Sequence, residues 1–253
     1  ADVEVRREAI KALADIGTQH GLDLLVRSTG DGDAEIQIRS VDALVNFYHP
    51  GYVTTGLSGT LKRAGAKLTA SFRQDENRDI IDPDTPVRPE IRAALRDIVA
   101  GASENVVRAN AARASGVLRD PEAVPVLIEA LRSKDDRLIF ESLIALQKIG
   151  DREAGPRVVF LMRDLVEKVQ LAAIETAGLL KSRDAVGELK RVLESGSERK
   201  VRRAAVLALA RIADPESRGA FTGLLEDKDD EVRAAAAEGL GRIANPTDIQ
   251  VIQ

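Results

Sequence analysis

The chain has 253 residues, of which 31% are charged and 3% aromatic, with a net charge of −4 and no cysteine or tryptophan. A small negative net charge argues against a general binder of nucleic acid or of anionic membranes. The lack of cysteine excludes disulfides and thiol chemistry. No apolar run approaches the roughly 18 residues of a membrane-spanning helix, and no signal peptide is visible. We therefore expect a soluble chain, in either the cytoplasm or the periplasm.

A helical segment recurs along the chain at a regular period, and its clearest copy is Val201–Asp214. We take the first apolar residue of each copy as its anchor. The spacings between successive anchors are 31, 71, 31, 31, 32 and 31 residues, so the long interval is one period plus about 40 inserted residues. This period predicts an all-α fold, a right-handed α-solenoid of about seven helix-turn-helix repeats. The anchors are Val5, Ile36, Val107, Leu138, Val169, Val201 and Val232.

Each copy places small residues four and seven residues after the anchor, here called positions +4 and +7, and a large apolar residue at position +11. At about 100° per residue these positions share one arc of a helix with the anchor. Small residues on that arc let neighbouring helices approach closely. Three residues before the anchor, six of the seven copies have an acid, as is typical near a helix N-terminus.

Shorter helices are predicted before the long ones, opening at Asp120-Pro121 and Asp214-Pro215, and Asn245-Pro246 opens the last segment. At each of these sites a capping residue precedes the first helical position. We interpret residues 1–253 as a single repeat domain with an insertion at 49–87. Because both ends fall inside repeats, we expect the chain to be a fragment or a processed piece of something longer. The predicted helices on either side of the insertion are residues 1–17, Gln19–Ser28, Ile36–Phe47 and Arg88–Ala100.

Two segments resemble a known family. Ala123-Val124-Pro125-Val126-Leu127 and the run from Asp229 to Ile243 match the HEAT-like repeats of the phycobilin-lyase type, in which an acidic turn precedes Val-Arg and an alanine-rich helix. The resemblance covers nearly everything outside the insertion. It implies the fold and is almost silent about function.

Residues suited to catalysis or metal binding are scarce. The only histidines, His20 and His49, stand neither in His-Glu pairs nor at metal-ligand spacing. Deoxyhypusine hydroxylase, an enzyme built on similar repeats, holds two irons with repeated His-Glu pairs that this chain lacks. The alternating acids of Thr29–Glu35 resemble part of a calcium-binding loop, but Ile36 stands at the loop position that requires glycine. This segment is therefore interpreted as a turn between helices. We therefore expect no catalytic residues, no metal and no cofactor, and predict that the chain is not an enzyme.

Arginine often follows the anchor directly. Such arginines could form an anion-binding ladder. The favoured interpretation is that each stem packs between helices while the guanidinium pairs with acids of the next repeat. The four are Arg6, Arg108, Arg202 and Arg233.

The insertion has a basic, aromatic first half, His49–Arg73, and a second half, Gln74–Val87, with five acids and one arginine. It is interpreted either as an ornament packed on its own repeats or as a partner-binding element. A third interpretation is a basic amphipathic segment, 57–73, on a membrane surface. Partner contacts in the insertion are predicted at Tyr52, Lys62, Arg63, Lys67 and Phe72.

The arc opposite the predicted core is reached at positions +2, +6 and +10. It is mostly charged or small in the first and last repeats and apolar in the middle ones. Because second helices line the concave face of HEAT-like arrays, these apolar residues should be neighbours there and bind a partner, unless the insertion covers them. They are Val117, Phe140, Ile144, Leu171, Leu179 and Leu207.

The sequence therefore predicts a non-catalytic protein-interaction scaffold or adaptor, which binds an unknown protein partner on its concave face, through the insertion, or both. One alternative is a lyase-like or hydroxylase-like enzyme subunit. Another is a membrane-peripheral adaptor that docks through residues 57–73. No nucleic-acid partner is expected, a membrane surface is disfavoured, and the oligomeric state stays open.

Overall fold

The computed structural model describes residues 2–52, 80–195 and 198–243, and every regular element in these ranges is a helix. The chain divides into two compact units, Ala1–Ile149 and Gly150–Gln253. The predicted last segment, which opens at Asn245-Pro246, lies outside the described residues.

The first unit contains long second helices that pack in a row, and each one after α1 follows a first helix that is shorter or of equal length. Helix α3 packs against α1 and α5, and α5 packs in turn against α7. A short 3-10 turn, Pro121–Ala123, leads into α6. The helices are α1 (Val3–Ile16), α2 (Gln19–Ser28), α3 (Ala34–Tyr48), α4 (Pro89–Gly101), α5 (Asn105–Val117), α6 (Val124–Ala130) and α7 (Asp136–Ile149).

The second unit opens with a 3-10 helix, Arg152–Arg163, where the repeat period predicts a first helix. Pro156 lies inside it, and a proline ring there would clash with the carbonyl four residues earlier in an α-helix, which disfavours α-helical geometry at this point. Here α10 packs between α8 and α12. The α-helices are α8 (Glu167–Leu179), α9 (Val186–Glu194), α10 (Arg199–Ile212), α11 (Arg218–Leu224) and α12 (Asp230–Arg242).

The anchors form the centre of the core, as the period predicts. Six of the seven are at most 3% exposed, and the exception is Val5, which is 62% exposed. The small residues at position +4 are fully buried in the same six repeats, from Ser40 to Ala236. The repeat register read from the sequence is therefore confirmed in both units.

Glycine at position +9 sets the distance between second helices at two contacts, α5 with α7 and α8 with α10. A Cβ added to Gly116 would lie 2.6 Å from Ala145 Cα, and one added to Gly178 would lie 2.8 Å from Ala208 Cα. Both alanines stand at position +7 of the following helix. Backbone therefore packs on backbone, because neither side carries an atom beyond Cβ at the contact.

The acids three residues before the anchors cap the helix when they are aspartate and do not when they are glutamate. Aspartate places its carboxylate on a free helix N–H, as in the 3.0 Å bond that Ile36 N donates to Asp33 Oδ1. The longer side chains of Glu104 and Glu198 make no capping hydrogen bond. The capping aspartates are Asp2, Asp33, Asp135 and Asp229.

Side chains directly after the anchor bind the carbonyl end of the preceding helix. Arg108 Nε donates to Val99 O at 2.8 Å, and Gln170 Nε2 donates to Met162 O at 2.9 Å. Arg6 Nε is paired with Asp31 Oδ2 at 2.8 Å. Arg6 and Arg202 pair with acids of the next repeat, as expected. Arg108 and Arg233 instead donate to backbone carbonyls, and glutamine can do the same because it too has a donor of sufficient reach.

We expect Gly116→Ala to lower the free energy of unfolding by about 1–3 kcal/mol, because the added methyl would force α5 away from α7. The matched control is Gly187→Ala, since Gly187 is an exposed helical glycine whose added Cβ would meet nothing within 4 Å. The control should stabilise the protein by up to about 1 kcal/mol through helix propensity. Denaturant unfolding measures both, and equal effects would contradict the close contact.

Asp229 should make the fold acid-sensitive. Hydrogen bonds from Arg203 and then Arg199 hold the pKa of Asp229 far below its usual range. Its ionised form therefore stabilises the folded state above the unfolded pKa, and that stability is lost as pH falls. Asp229→Asn, which retains a capping side chain, should narrow the fall in melting temperature between pH 7 and about pH 3. Arg203→Gln should also reduce this fall in melting temperature. If both variants show the same pH dependence of melting as the wild type, the Asp229–Arg203 pair is not the source of the acid sensitivity.

Candidate functional site

The structure places the predicted apolar residues of the first unit at different depths. Phe140 and Ile144 are half-buried on α7. Val117 is fully buried, so its prediction as a surface contact is wrong. Buried Ile81, from the end of the insertion, lies against it and donates its N–H to Val117 O at 3.1 Å. The described tail of the insertion therefore covers this position.

In the second unit, Leu179 and Leu207 are half-buried, whereas Leu171 is buried and is not a surface residue. The reason is its position, +2. At about 100° per residue, position +2 lies within about 20° of position +9, and position +9 faces the next second helix. At Leu171, position +2 therefore joins the contact between helices, whereas Phe140 at the same position of α7 stays half-buried. Position +10 is buried at Val117 and half-buried at Leu179, so the open arc is centred on position +6.

Only the start of the insertion's basic half belongs to the described residues. Tyr52 is half-buried there. The contacts predicted at Lys62, Arg63, Lys67 and Phe72, and the amphipathic segment 57–73, fall outside the described ranges and stay predictions.

A polar cluster occupies the open arc of the first unit at position +6. Arg113 Nη2 of α5 lies 3.4 Å from Asp42 Oδ1 of α3, and Asn110 Nδ2 lies 3.3 Å from the same oxygen. Arg113 Nη2 also donates to Asn110 Oδ1. The side chains of Arg113 and Asp42 are only 17% and 13% exposed. We call these residues, together with Tyr52, the Arg113 cluster.

Tyr52 brings the insertion to this cluster. The Arg113 guanidinium carbon lies 5.5 Å from the centre of the Tyr52 ring, which is the geometry of a cation–π contact. Tyr52, near the start of the insertion, and Ile81, near its end, therefore both contact α5. The two ends of the insertion thus flank the face of α5 that carries Arg113.

Arg113 stays charged and keeps unused hydrogen-bonding capacity. Burial by itself lowers the pKa of Arg113, but Tyr52, Asp42 and Glu141 outweigh it, so the net pKa is raised. Its Nε is buried and has no hydrogen-bond partner among the described residues. A guanidinium offers five N–H donors in a planar fork suited to a carboxylate. Arg113 therefore keeps one donor, its buried Nε, that no described residue accepts from.

Sequence reasoning missed this cluster because it assigned charged residues on the arc to a solvated surface. Asp42 and Arg113 are nevertheless opposite charges at the same position of consecutive second helices, on the two sides of the insertion. Opposite charges at the same position of neighbouring helices are the sequence feature that would have predicted the Asp42–Arg113 ion pair. Asn110 carried no such signal.

Elsewhere the described residues form one apolar groove with few polar groups. A groove of about 270 Å³ beside α1 and α3 is lined mainly by apolar residues such as Leu13, Leu22 and Phe47, with Asp15 as its only charged residue. In the described ranges, no group of three or more Asp, Glu, His or Cys is placed to hold a metal ion. No described helix is long and apolar enough to cross a membrane.

A double-mutant cycle should separate the Asp42–Arg113 pair from ordinary surface pairs. With Asp42→Asn and Arg113→Gln we expect a coupling energy of about 1–3 kcal/mol, because the pair is largely removed from water. The control is the Glu129–Arg132 pair of the same unit, whose side chains are 70% and 66% exposed. Its coupling should stay below about 0.5 kcal/mol. Equal couplings would mean that the cluster is only a surface ion pair.

Sequence profiles match most of the chain. A profile described as HEAT repeats matches residues 92–165 and 189–253. A second profile, described as PBS lyase HEAT-like repeat, matches residues 5–31.

Two curated relatives are both bilin biosynthesis proteins PecE. That of Nostoc sp. (strain PCC 7120) is 31% identical over 147 residues, which is 58% of this chain and 58% of the relative. That of Mastigocladus laminosus is 38% identical over 94 residues, or 37% of this chain and 35% of the relative. The chain therefore spans less than two thirds of the length of either relative.

Solved structures with similar folds are helical repeat proteins. An engineered protein matches with a TM-score of 0.59 and 20% identity over 88% of this chain and 96% of that one. A designed armadillo repeat protein matches with a TM-score of 0.56 and 18% identity, over 88% of this chain and all of that one. The CpcE–CpcF complex of phycocyanin lyase from Nostoc sp. matches with a TM-score of 0.53 and 18% identity, over 91% of this chain and 79% of that one.

These relatives overturn the prediction that the chain is not an enzyme. The two PecE proteins are named for bilin biosynthesis, and the similar fold of CpcE occurs in a lyase complex. The prediction was wrong because it searched this chain for a catalytic signature of its own. A subunit can take part in catalysis by binding and orienting groups without carrying a recognisable set of nucleophile, base and metal ligands.

Proposed function

Since this chain belongs to the HEAT-repeat family, we propose that it works as a subunit of a lyase-type enzyme that acts on a bilin. The observation that carries this proposal is the 31% identity with PecE over 147 residues. The match of residues 5–31 to the PBS lyase HEAT-like repeat supports it. A role as a protein-binding scaffold is compatible with this activity, since a subunit must also hold its partners.

The Arg113 cluster is the proposed bilin contact. A bilin is an open-chain tetrapyrrole that combines carboxylate side chains with a flat conjugated system. Arg113 would bind a carboxylate through its guanidinium, whose planar fork would orient that group. The ring of Tyr52 and the half-buried side chains of Phe140 and Ile144 belong to the same unit and would pack against the conjugated rings.

We also propose that the enzyme needs a second protein. CpcE occurs in a complex with CpcF, and half-buried apolar residues remain on the second helices of both units of this chain. In the first unit, Phe140 and Ile144 are proposed to contact both the bilin and the partner protein. The proposed partner contacts elsewhere are Leu179, Leu207, Lys62, Arg63, Lys67 and Phe72.

The bilin contact is tested by titrating the purified chain with biliverdin, a readily obtained bilin, and following its visible absorbance and induced circular dichroism. We expect a saturable spectral change. Arg113→Lys should weaken binding by about tenfold or more, because lysine keeps the charge but loses the planar fork. Arg132→Lys, a change at an exposed arginine of the same unit, is the matched control and should bind as the wild type does.

Two outcomes count against the proposal. If biliverdin binds neither the chain alone nor the chain with a CpcF-type subunit, bilin recognition is excluded. If Arg113→Lys and Arg132→Lys bind alike while melting as the wild type does, the site lies elsewhere and the Arg113 cluster is structural.

A further inference from the structure

Three large apolar side chains are exposed close together in the second unit. Phe160, in the 3-10 helix Arg152–Arg163, is 56% exposed. In the turn before α8, Leu165 is fully exposed and Val166 is 37% exposed. All three lie within seven residues of sequence, and none is near an end of the sequence. Exposed apolar side chains that cluster in this way mark an interaction site, whereas single ones need no explanation.

The 3-10 helix aligns Phe160 with two arginines. Because this helix has about three residues per turn, residues three apart lie above one another on one line. Arg157, Phe160 and Arg163 form such a line, and all three are exposed. Phe160 is therefore about 6 Å along the helix axis from each arginine. A second line with the same spacing is buried and consists of Gly155, Val158 and Leu161.

The turn before α8 lacks the polar residues of the other copies. Val166 stands three residues before the anchor, where every other copy has an acid, and it makes no capping hydrogen bond to α8. Leu165 stands one residue earlier, where every other copy has a small or polar residue. Replacing a capping acid by an apolar residue costs helix stability, and a fully exposed leucine gains nothing from burial. The fold alone therefore does not account for these two residues, whereas a partner that covers them would.

The arginines on this surface keep a net positive charge. Arg157 makes no ion pair with any residue that the structure describes. Arg163 binds Glu188 through two hydrogen bonds, Nε to Oε1 at 2.5 Å and Nη2 to Oε2 at 2.6 Å. Arg191 Nη1 donates to the same carboxylate at 2.8 Å. The two arginines are 63% and 66% exposed around one carboxylate, so this group carries one positive charge in excess.

The acids that directly follow the 3-10 helix already have partners. Asp164 Oδ1 accepts the N–H of Val166 at 2.8 Å. Glu167 Oε1 accepts from Lys200 Nζ at 3.0 Å. The arginine side chains therefore extend into solvent further than the carboxylates that balance them, and a partner that approaches the apolar residues meets positive charge first.

We propose that this surface docks an acidic segment of a partner protein, in which an apolar residue stands between two carboxylates. The apolar residue packs on Phe160, and its two carboxylates bind Arg157 on one side and Arg163 on the other. An extended segment has this spacing, because side chains on one side of a strand recur about every 6.7 Å. We call the five residues involved the docking surface: Arg157, Phe160, Arg163, Leu165 and Val166.

A protein segment fits this surface better than an anionic membrane does. The two arginines and Phe160 form a single narrow line, with Glu188 in contact with it and Asp164 and Glu167 directly after it. A flat anionic surface would meet these carboxylates as well as the arginines, and the whole chain has a net charge of −4. A narrow acidic segment contacts the line and avoids the acids beside it.

Fluorescence anisotropy with synthetic peptides tests the proposal on the full chain. The probe is a fluorescein-labelled peptide with the core Glu-Thr-Leu-Thr-Glu, which should bind with a dissociation constant below about 1 mM. Two control peptides carry Lys-Thr-Leu-Thr-Lys and Glu-Thr-Ser-Thr-Glu. The first loses the charge match and the second loses the apolar contact, so each should have about one fifth of the affinity or less.

Variants of the chain locate the binding. Phe160→Ser and Arg157→Glu should each weaken binding of the acidic peptide about fivefold or more. The matched controls are Leu24→Ser and Arg132→Glu in the first unit, at a leucine that is 48% exposed and an arginine that is 66% exposed. Both controls should bind as the wild type does. All four changes are at exposed side chains, so the melting temperatures should stay close to that of the wild type.

Val166→Asp separates docking from folding. Aspartate restores the capping acid of the other copies, so the melting temperature should rise. Affinity for the acidic peptide should fall, because the substitution adds negative charge to the docking surface. A lower melting temperature would show that Val166 serves the fold and would contradict the proposal.

The absence of saturable binding up to about 1 mM would overturn the proposal, as would equal binding of the three peptides. Sedimentation with phosphatidylserine vesicles that Phe160→Ser abolishes would assign the surface to a membrane instead. Self-association in sedimentation equilibrium that the same change abolishes would assign it to a second copy. Each of these two results also overturns the proposal. No measurement here involves a bilin, so the failure of one proposal leaves the other standing.

Discussion

The close packing of one second helix on the next is the interaction on which the rest of the structure depends. At two of these contacts, α5 with α7 and α8 with α10, glycine at position +9 against alanine at position +7 lets the backbones approach until only a methyl group separates them. At that distance the anchors are enclosed on all sides, and long side chains at neighbouring positions are forced to the edges of the contact. With 3% aromatic residues in the sequence, the core relies on this proximity more than on large side chains.

Charges along the repeats follow from the same geometry. Because consecutive helices repeat the same register, an arginine after one anchor lies beside the acids that open the next repeat, as with Arg6 and Asp31. The aspartates also cap helix N-termini and the arginines also donate to backbone carbonyls, so both stabilise the repeats. The Arg113 cluster differs because it sits on the open arc, is largely buried, and retains a donor that no described residue uses. That difference separates a candidate binding group from the structural arginines.

The placement of the insertion connects the scaffold with the proposed activity. Tyr52 and Ile81, near its two ends, both contact α5, one at the guanidinium of Arg113 and the other at Val117 O. A repeat array offers similar surfaces many times, so a ligand needs a feature that marks one repeat. Here the insertion distinguishes the face of α5 from its equivalents, and a bilin contact there would use residues that no other repeat provides.

The sequence by itself determined the period, the anchors, the small positions and most helix boundaries, because each depends on local spacing that repeats along the chain. It also predicted the pairing of Arg6 and Arg202 with acids of the next repeat. Only the tertiary structure decided which side of each helix is open. Leu171 and Phe140 both stand at position +2, yet Leu171 is buried and Phe140 is half-buried, because the neighbours that pack on each helix differ. Likewise, Asp42 and Arg113 are 71 residues apart in sequence, so only the packing of α3 on α5 brings them together.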